Sequence, residues 1–242
     1  MADLVWPEGL YPYKVSFYLQ PHVGGQESPL TRTRKVYGLS APRWLARLTF
    51  RTGYDGDDGV EAWGGLLDAL IAEMEGGLNR IGLWDFRRPY PAGLARYYRQ
   101  FAGSLYPFSG GETFTLGERF ILPARAEPLN LVAPRGATVM TFVGLRPGER
   151  VFQAGDYVGG DGRTHIVLDR VVIADGEGRA TVRFKPPLQR AVGAGSAVTM
   201  QPPSPFRLVG DDAGSNETEV GQPTEYTLEF AEDLLEPVED LS

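Results

Sequence analysis

Alternation of apolar and polar positions dominates this chain. Tyr13, Val15, Phe17 and Leu19 alternate with Lys14, Ser16, Tyr18 and Gln20, the period-two pattern of a strand with one buried face. Pro21 is expected to close that strand, and Gly24-Gly25 and Ser28-Pro29 to form the loop after it. Trp44, Ala46, Leu48 and Phe50 repeat the pattern, with Arg43, Arg47 and Arg51 on the other face. One stretch switches period. Val60, Trp63, Leu67, Leu70, Ile71, Met74 and Leu78 follow helical spacing and predict a helix over 59–78. Asp57 or Asp58 is the natural N-cap, and Gly76-Gly77 weaken the end. Ile81 to Phe86 then reads as a strand.

From Ala137 to Leu208 the pattern gives strand after strand, punctuated by Gly and Pro. Ala180, Val182 and Phe184 alternate with Thr181, Arg183 and Lys185, and predict one arm of a hairpin. Val167 to Ile173 is the expected opposite arm, with Asp175-Gly176-Glu177-Gly178 as the turn. Short strands are also expected between Thr113 and Leu122. After a polar linker, Gly210 to Gly221, the residues Tyr226, Leu228 and Phe230 make a final half-buried strand. Its apolar face needs a partner, and the incomplete N-terminal sheet is the natural one. The expected fold is all-β with one α-helix. An N-terminal sandwich or barrel-like domain (1–86 plus 204–242) is completed by the C-terminal strand. A small β-barrel or sandwich (125–203) is inserted into it, with 87–124 as a connecting arm.

Composition narrows the function. The chain has 242 residues, 42% of them hydrophobic, enough for a real core. There is no cysteine, which removes disulfides, thiolate catalysis and Cys-based zinc sites. No apolar run approaches the roughly 20 residues of a membrane helix, so membrane insertion is not expected. Met1-Ala2-Asp3-Leu4 lacks the basic, apolar start of a secretory signal. The net charge of −7 is unevenly placed. Glu217 to Ser242 holds nine acidic residues and no basic one, and the remainder is close to neutral. That balance argues against nucleic-acid binding, which needs a basic surface.

The search for chemistry returns little. The two histidines are His22, in a loop, and His165, at the start of a strand near Asp156, Asp161 and Asp169. A histidine beside aspartates fits a triad base or a metal ligand. With no Gly-x-Ser-x-Gly elbow to supply a nucleophile, His165 reads as a surface-strand residue. Tyr54-Asp55-Gly56-Asp57-Asp58-Gly59 fails as a calcium loop, because Val60 and Leu66 stand where glycine and glutamate are required. The glycine-rich segments have the spacing of turns rather than of phosphate loops. No carboxylate pair stands out. No catalytic, cofactor-binding or metal-binding residue is therefore assigned, and the chain does not read as an enzyme. The one candidate surface is a run of arginines and tyrosines: Arg87, Arg88, Tyr90, Arg96, Tyr97, Tyr98 and Arg99. Arg and Tyr are enriched where interfaces concentrate their binding energy. The acidic C-terminal tail of a neighbouring copy is a candidate partner for it.

The order of parts from Gly155 to Leu208 carries a resemblance. Gly155-Asp156-Tyr157 is followed by the strand pair, then Pro186-Pro187-Leu188, Val198-Thr199-Met200 and Pro205-Phe206-Arg207-Leu208. This layout resembles that of minor tail proteins of long-tailed bacteriophages, in particular distal tail proteins. The N-terminal half is similar too, with an early strand, the Ser28-Pro29 loop, the Trp44 strand and a helix leading into a strand. The resemblance implies a structural protein of the virion tail tip, assembled in the host cytoplasm. Its copies would form a ring, a hexamer or else a trimer. That ring would join the tail tube protein to the hub and host-binding proteins, with no cofactor. An alternative is a carbohydrate-binding module that takes host-surface glycan, which a planar row of exposed aromatics on 125–203 would favour. A cell-wall hydrolase is the remaining class and would need a cleft with two close carboxylates, or His165 beside a nucleophile.

Overall fold

The structure, a computed structural model, describes residues 3–7, 9–51, 54–55, 60–61, 64–88, 91–92, 105–106, 120–121, 129–130, 132–195, 199, 201–210, 215 and 225–234. For 54–55, 60–61, 105–106, 120–121 and 129–130 the backbone alone is described. The protein is mainly β with a single α-helix among these residues. The chain divides into two compact units, Met1–Arg87 with Pro203–Ser242, and Arg88–Pro202. By this division residues 88–124 fall in the second unit.

Chain order begins with β1 (Asp3–Leu4), β2 (Lys14–Glu27), β3 (Arg34–Arg51), β4 (Tyr54–Asp55) and β5 (Val60–Glu61). The helix α1 (Gly64–Met74) and β6 (Arg80–Leu83) follow. The insert carries β7 (Leu105–Tyr106), β8 (Phe120–Ile121), β9 (Leu129–Asn130), β10 (Val139–Val143) and β11 (Arg150–Gln153). It continues with β12 (Tyr157–Val158), β13 (His165–Val167), β14 (Val171–Ile173) and β15 (Ala180–Lys185). The chain then returns through β16 (Ser204–Leu208) and β17 (Glu225–Glu232).

The first unit is one curled sheet in the order β1-β6-β16-β17-β3-β2. The last strand lies in its middle, antiparallel to β3 on one side and to β16 on the other. Alternation decides which residues meet inside. Phe17 from β2, Trp44, Ala46, Leu48 and Phe50 from β3, Phe206 and Leu208 from β16, and Tyr226, Leu228 and Phe230 from β17 are all buried. Leu67, Leu70 and Met74 of α1 are buried as well. Phe17 stacks on Trp44 with ring centroids 4.9 Å apart.

The helix is shorter than its apolar spacing predicts. Val60 pairs with Asp55 in the β4–β5 hairpin and α1 begins at Gly64; Asp57 and Asp58, the expected N-caps, lie outside the described residues. At the other end the chain tightens into a 3-10 turn, Glu75–Gly77. Gly77 has φ +91°, and a Cβ there would meet the Leu208 carbonyl oxygen at 2.6 Å. Arg207 Nη1 donates to the carbonyls of Gly77 (2.8 Å) and Leu78 (2.6 Å), satisfying acceptors that a helix end leaves open.

Pro21 does not end β2. The strand runs on to Glu27, paired with β3 as far as Arg34. Proline is tolerated here because β2 is the edge of the sheet and its register shifts between Gln20 and Val23. Gly24 and Gly25 are strand residues rather than loop residues. Added Cβ atoms would meet the Tyr37 ring at 2.8 Å and Arg34 Nε at 3.0 Å, so their bareness lets those side chains lie across the ribbon. The turn falls at 28–33, closed by Ser28 N–H donating to the Thr33 carbonyl. The outcome is a hairpin arm over 21–41 in which no residue is buried.

The second unit packs a five-stranded sheet, β12-β13-β15-β10-β9, with a two-stranded ribbon, β11-β14. Its core holds Met140, Phe142, Val151, Phe152, Val167, Val172, Val182 and Phe184. Phe142 of the sheet meets Phe152 of the ribbon at 5.4 Å between centroids. The expected hairpin is divided. β15 pairs with β13, but Val171–Ile173 leaves it for β11. Asp169 makes the break by accepting from Arg183 N–H (2.7 Å) and Nε (2.6 Å), which fills the ladder position the chain vacates. The turn at Asp175 holds: its Oδ1 accepts from Glu177 N–H and Arg179 N–H.

Candidate functional site

Of the Arg/Tyr run, Arg87 and Arg88 are described; Tyr90, Arg96, Tyr97, Tyr98 and Arg99 lie outside the described residues. Each of the two described arginines is engaged within its own unit. Arg87 forks onto buried Asp85, with Nε and Nη2 each 2.9 Å from a carboxylate oxygen, and Nη2 also donates to the Phe17 carbonyl at 2.9 Å. The pair pins the chain leaving β6 to the sheet edge.

Arg88 explains the Gly-Asp-aromatic motif. Its Nη1 donates to the Gly155 carbonyl (2.6 Å), its Nη2 to the Tyr157 hydroxyl (2.5 Å), and its guanidinium sits 4.8 Å over the Tyr157 ring. Gly155 is required twice over: its φ is +91°, and a Cβ would stand 2.7 Å from Arg88 Nη1. Asp156 is buried between them. One carboxylate oxygen accepts from Ala92 N–H (3.0 Å) and the other from Gln153 N–H (2.7 Å). Burial pushes its carboxyl above the usual range, against the pull of those hydrogen bonds and of Arg88. The motif is thus a clasp that holds Arg88 and Ala92 on the β11–β12 turn. Asp156→Ala strands two amide donors, and each unmade buried hydrogen bond costs about 1–3 kcal/mol. The expected loss is about 2 kcal/mol or more of the second unit's stability in chemical denaturation; a variant as stable as the parent would show that the clasp carries no load.

His165 is not on the surface. It is 0% exposed, and both ring nitrogens face acceptors: Nδ1 lies 2.8 Å from the Pro186 carbonyl and Nε2 2.8 Å from Asp161 Oδ1. Its ring packs edge-on against Phe184. The strand alternation misleads because the partner, Asp161, comes from a glycine-rich turn that folds over the histidine. Asp161 also accepts from Arg163 N–H (3.2 Å) and Gln189 N–H (2.8 Å). A base whose nitrogens are both committed to acceptors has none left to take a proton from a nucleophile.

Sequence reasoning missed the buried acids at the end of β17. Glu232 continues the inward register of Tyr226, Leu228 and Phe230, and its Oε2 accepts from Trp44 N–H at 2.8 Å. This bond replaces the ladder partner that β3 lacks once its pairing with β17 ends at Leu45 and Ala231. Asp233 follows, bound by Arg207 Nε at 3.0 Å and by Arg80 Nη1 at 3.8 Å. Their signal was the period itself: an acid at an inward position implies a backbone donor to cap. On the outward face of the same sheet, Ser16, Tyr18, Arg43, Leu45, Arg47, Val209, Glu229 and Ala231 line a trough of about 400 Å³.

All four aromatic residues between 125 and 203, Phe142, Phe152, Tyr157 and Phe184, are buried, so none forms a platform for a sugar ring. Among the described residues no group of histidines and acids is arranged to hold a metal ion, and no helix is long and apolar enough to cross a membrane. No protein-family model matches the chain, and no characterised protein aligns with it at a significant level.

Proposed function

We propose that this protein is a structural component of a phage-type tail tip, a distal tail protein. Its copies close into a ring that joins the tail tube to the hub and host-binding proteins. The observation that supports this reading best is the hairpin arm. A two-stranded ribbon alone is marginal in water, yet here residues 21–41 leave the sheet with both faces open. The arm also carries exposed Val23, Val36, Tyr37 and Leu39. From Arg34 to Ala41, β3 pairs with β2 alone among the described residues, which leaves the far edge of the arm to another chain. Open edges and apolar ribbon faces are liabilities unless another chain covers them. Closure of identical copies by rotation covers them all at once. The resemblance of the Gly155 to Leu208 layout to minor tail proteins supplies the setting, and the arm supplies the reason to assemble.

The test is the mass of the purified protein by light scattering across a concentration series, with negative-stain images of the same sample. Closed rings of six or three copies are the expected result. A monomer at every concentration, with no rings on the grid, counts against assembly by this chain.

A further inference from the structure

The arm's charges point to the surface that receives it. Between Pro21 and Ala41 the ribbon carries Arg32, Arg34 and Lys35 against one acid, Glu27. None of the three cations is paired with a carboxylate among the described residues. The outer face of α1 is the opposite. Leu67, Leu70 and Met74 turn inward, leaving Asp68, Glu73 and, in the following turn, Glu75 exposed. From Gly64 to Leu78 there is no lysine, arginine or histidine. Ala69 and Ala72 keep the middle of this face low, and Leu66 and Leu78, 42% and 57% exposed, mark its two ends.

The lengths also agree. Eight strand residues from Gln20 to Glu27 span roughly 26 Å at about 3.3 Å each. The 11 helical residues of α1 and the three of the 3-10 turn span roughly 22 Å at about 1.5 and 2.0 Å each. A basic, partly apolar ribbon and an acidic, low-relief helix face of matching length stand on the same chain. No hydrogen bond or ion pair joins them within it among the described residues.

We propose that the arm of one copy lies along the outer face of α1 of a second copy, with Arg34 and Lys35 against Asp68, Glu73 and Glu75. Because the two surfaces differ, the contact is head-to-tail, the kind that propagates around a ring and closes when the rotation allows. The proposal rests on the assembly reading above and names the contact that builds it.

The experiment is a charge exchange in the full chain, read by sedimentation velocity over a concentration series. The variants are R34E/K35E, D68K/E73K and all four together, each checked for the parent's circular dichroism spectrum. All four positions are exposed, so the fold is expected to survive. Each pair alone is expected to weaken assembly at least tenfold, through like charges facing each other, and the combination to restore it. Raising the salt is expected to weaken the parent's assembly, because exposed charge pairs are screened. Two pair variants that assemble like the parent overturn this contact while leaving ring formation standing. So does a combination no better than its worse half. A parent that stays monomeric throughout overturns the contact and the assembly reading together.

Discussion

A chain that stops at Thr224 is expected to lose the fold of the first unit and to keep that of the second. The missing segment contains β17, which is not an appendage but the strand between β16 and β3. Seven residues, Glu225 to Ala231, are in register with β3, and Phe206, Arg207 and Leu208 pair with its far side. Without it the sheet falls into a three-stranded piece, β1-β6-β16, and the β3–β2 ribbon, with facing unpaired edges. Tyr226, Leu228 and Phe230 also leave the core, and each buried side chain of this size stabilises by about 1.5–3 kcal/mol. Together that is of the same order as the 5–15 kcal/mol that holds a whole domain folded. Loss of Glu232 further strands the buried amide of Trp44. The second unit has its own sheet, ribbon and core. Limited proteolysis followed by mass spectrometry is expected to leave a protected fragment close to Arg88–Pro202 and to degrade the rest. A truncated chain in which residues 14–51 stay protected would show that β17 is dispensable.

That strand was legible because its alternation is undisturbed. Tyr226, Leu228 and Phe230 announce one buried face, and an unpaired half-buried strand at a chain end must dock on a sheet that lacks one. The same reasoning read Trp44 to Phe50 and Ala180 to Phe184 correctly. It failed where local chemistry interrupts a period. Pro21 and Gly24-Gly25 carry the marks of a loop, yet they sit in an edge strand. There a missing N–H is harmless, and bare glycines admit the side chains of Tyr37 and Arg34. Val167 to Ile173 reads as one strand, yet Asp169 diverts it into a second layer. Val60 fits the helical spacing only by coincidence of register with Leu67 and Met74. The clasp around Asp156 was visible as a motif but not as a mechanism, since Arg88 and Ala92 lie far from it in sequence.

The pair His165–Asp161 carries the largest single-residue effect expected in the second unit. His165→Ala removes the ring that bridges Asp161 Oδ1 and the Pro186 carbonyl, each 2.8 Å from one of its nitrogens in a buried setting. Breaking a buried pair by deleting one partner typically costs about 3–5 kcal/mol, because the remaining group keeps its desolvation without compensation. Urea denaturation of the full chain is expected to show a loss of that size in the transition of the second unit; a loss under about 1 kcal/mol would mean that water replaces the histidine at no cost. The pH dependence gives an independent readout. Burial pushes the Asp161 carboxyl up, but the bond and charge of His165 and the amide of Gln189 outweigh it and hold the group below its ordinary value of 3.8. A carboxyl lowered on folding contributes stability that is complete above its unfolded value and is lost as pH falls through its folded value. The parent is therefore expected to weaken in acid below about pH 4, and the gap between parent and His165→Ala to narrow there. Asp156 acts in the other direction. Its carboxyl is raised by burial, so its contribution diminishes as pH rises above 3.8. Comparing the acid limbs of His165→Ala and Asp156→Ala separates the two: the first is expected to flatten the loss of stability in acid, and the second to steepen it.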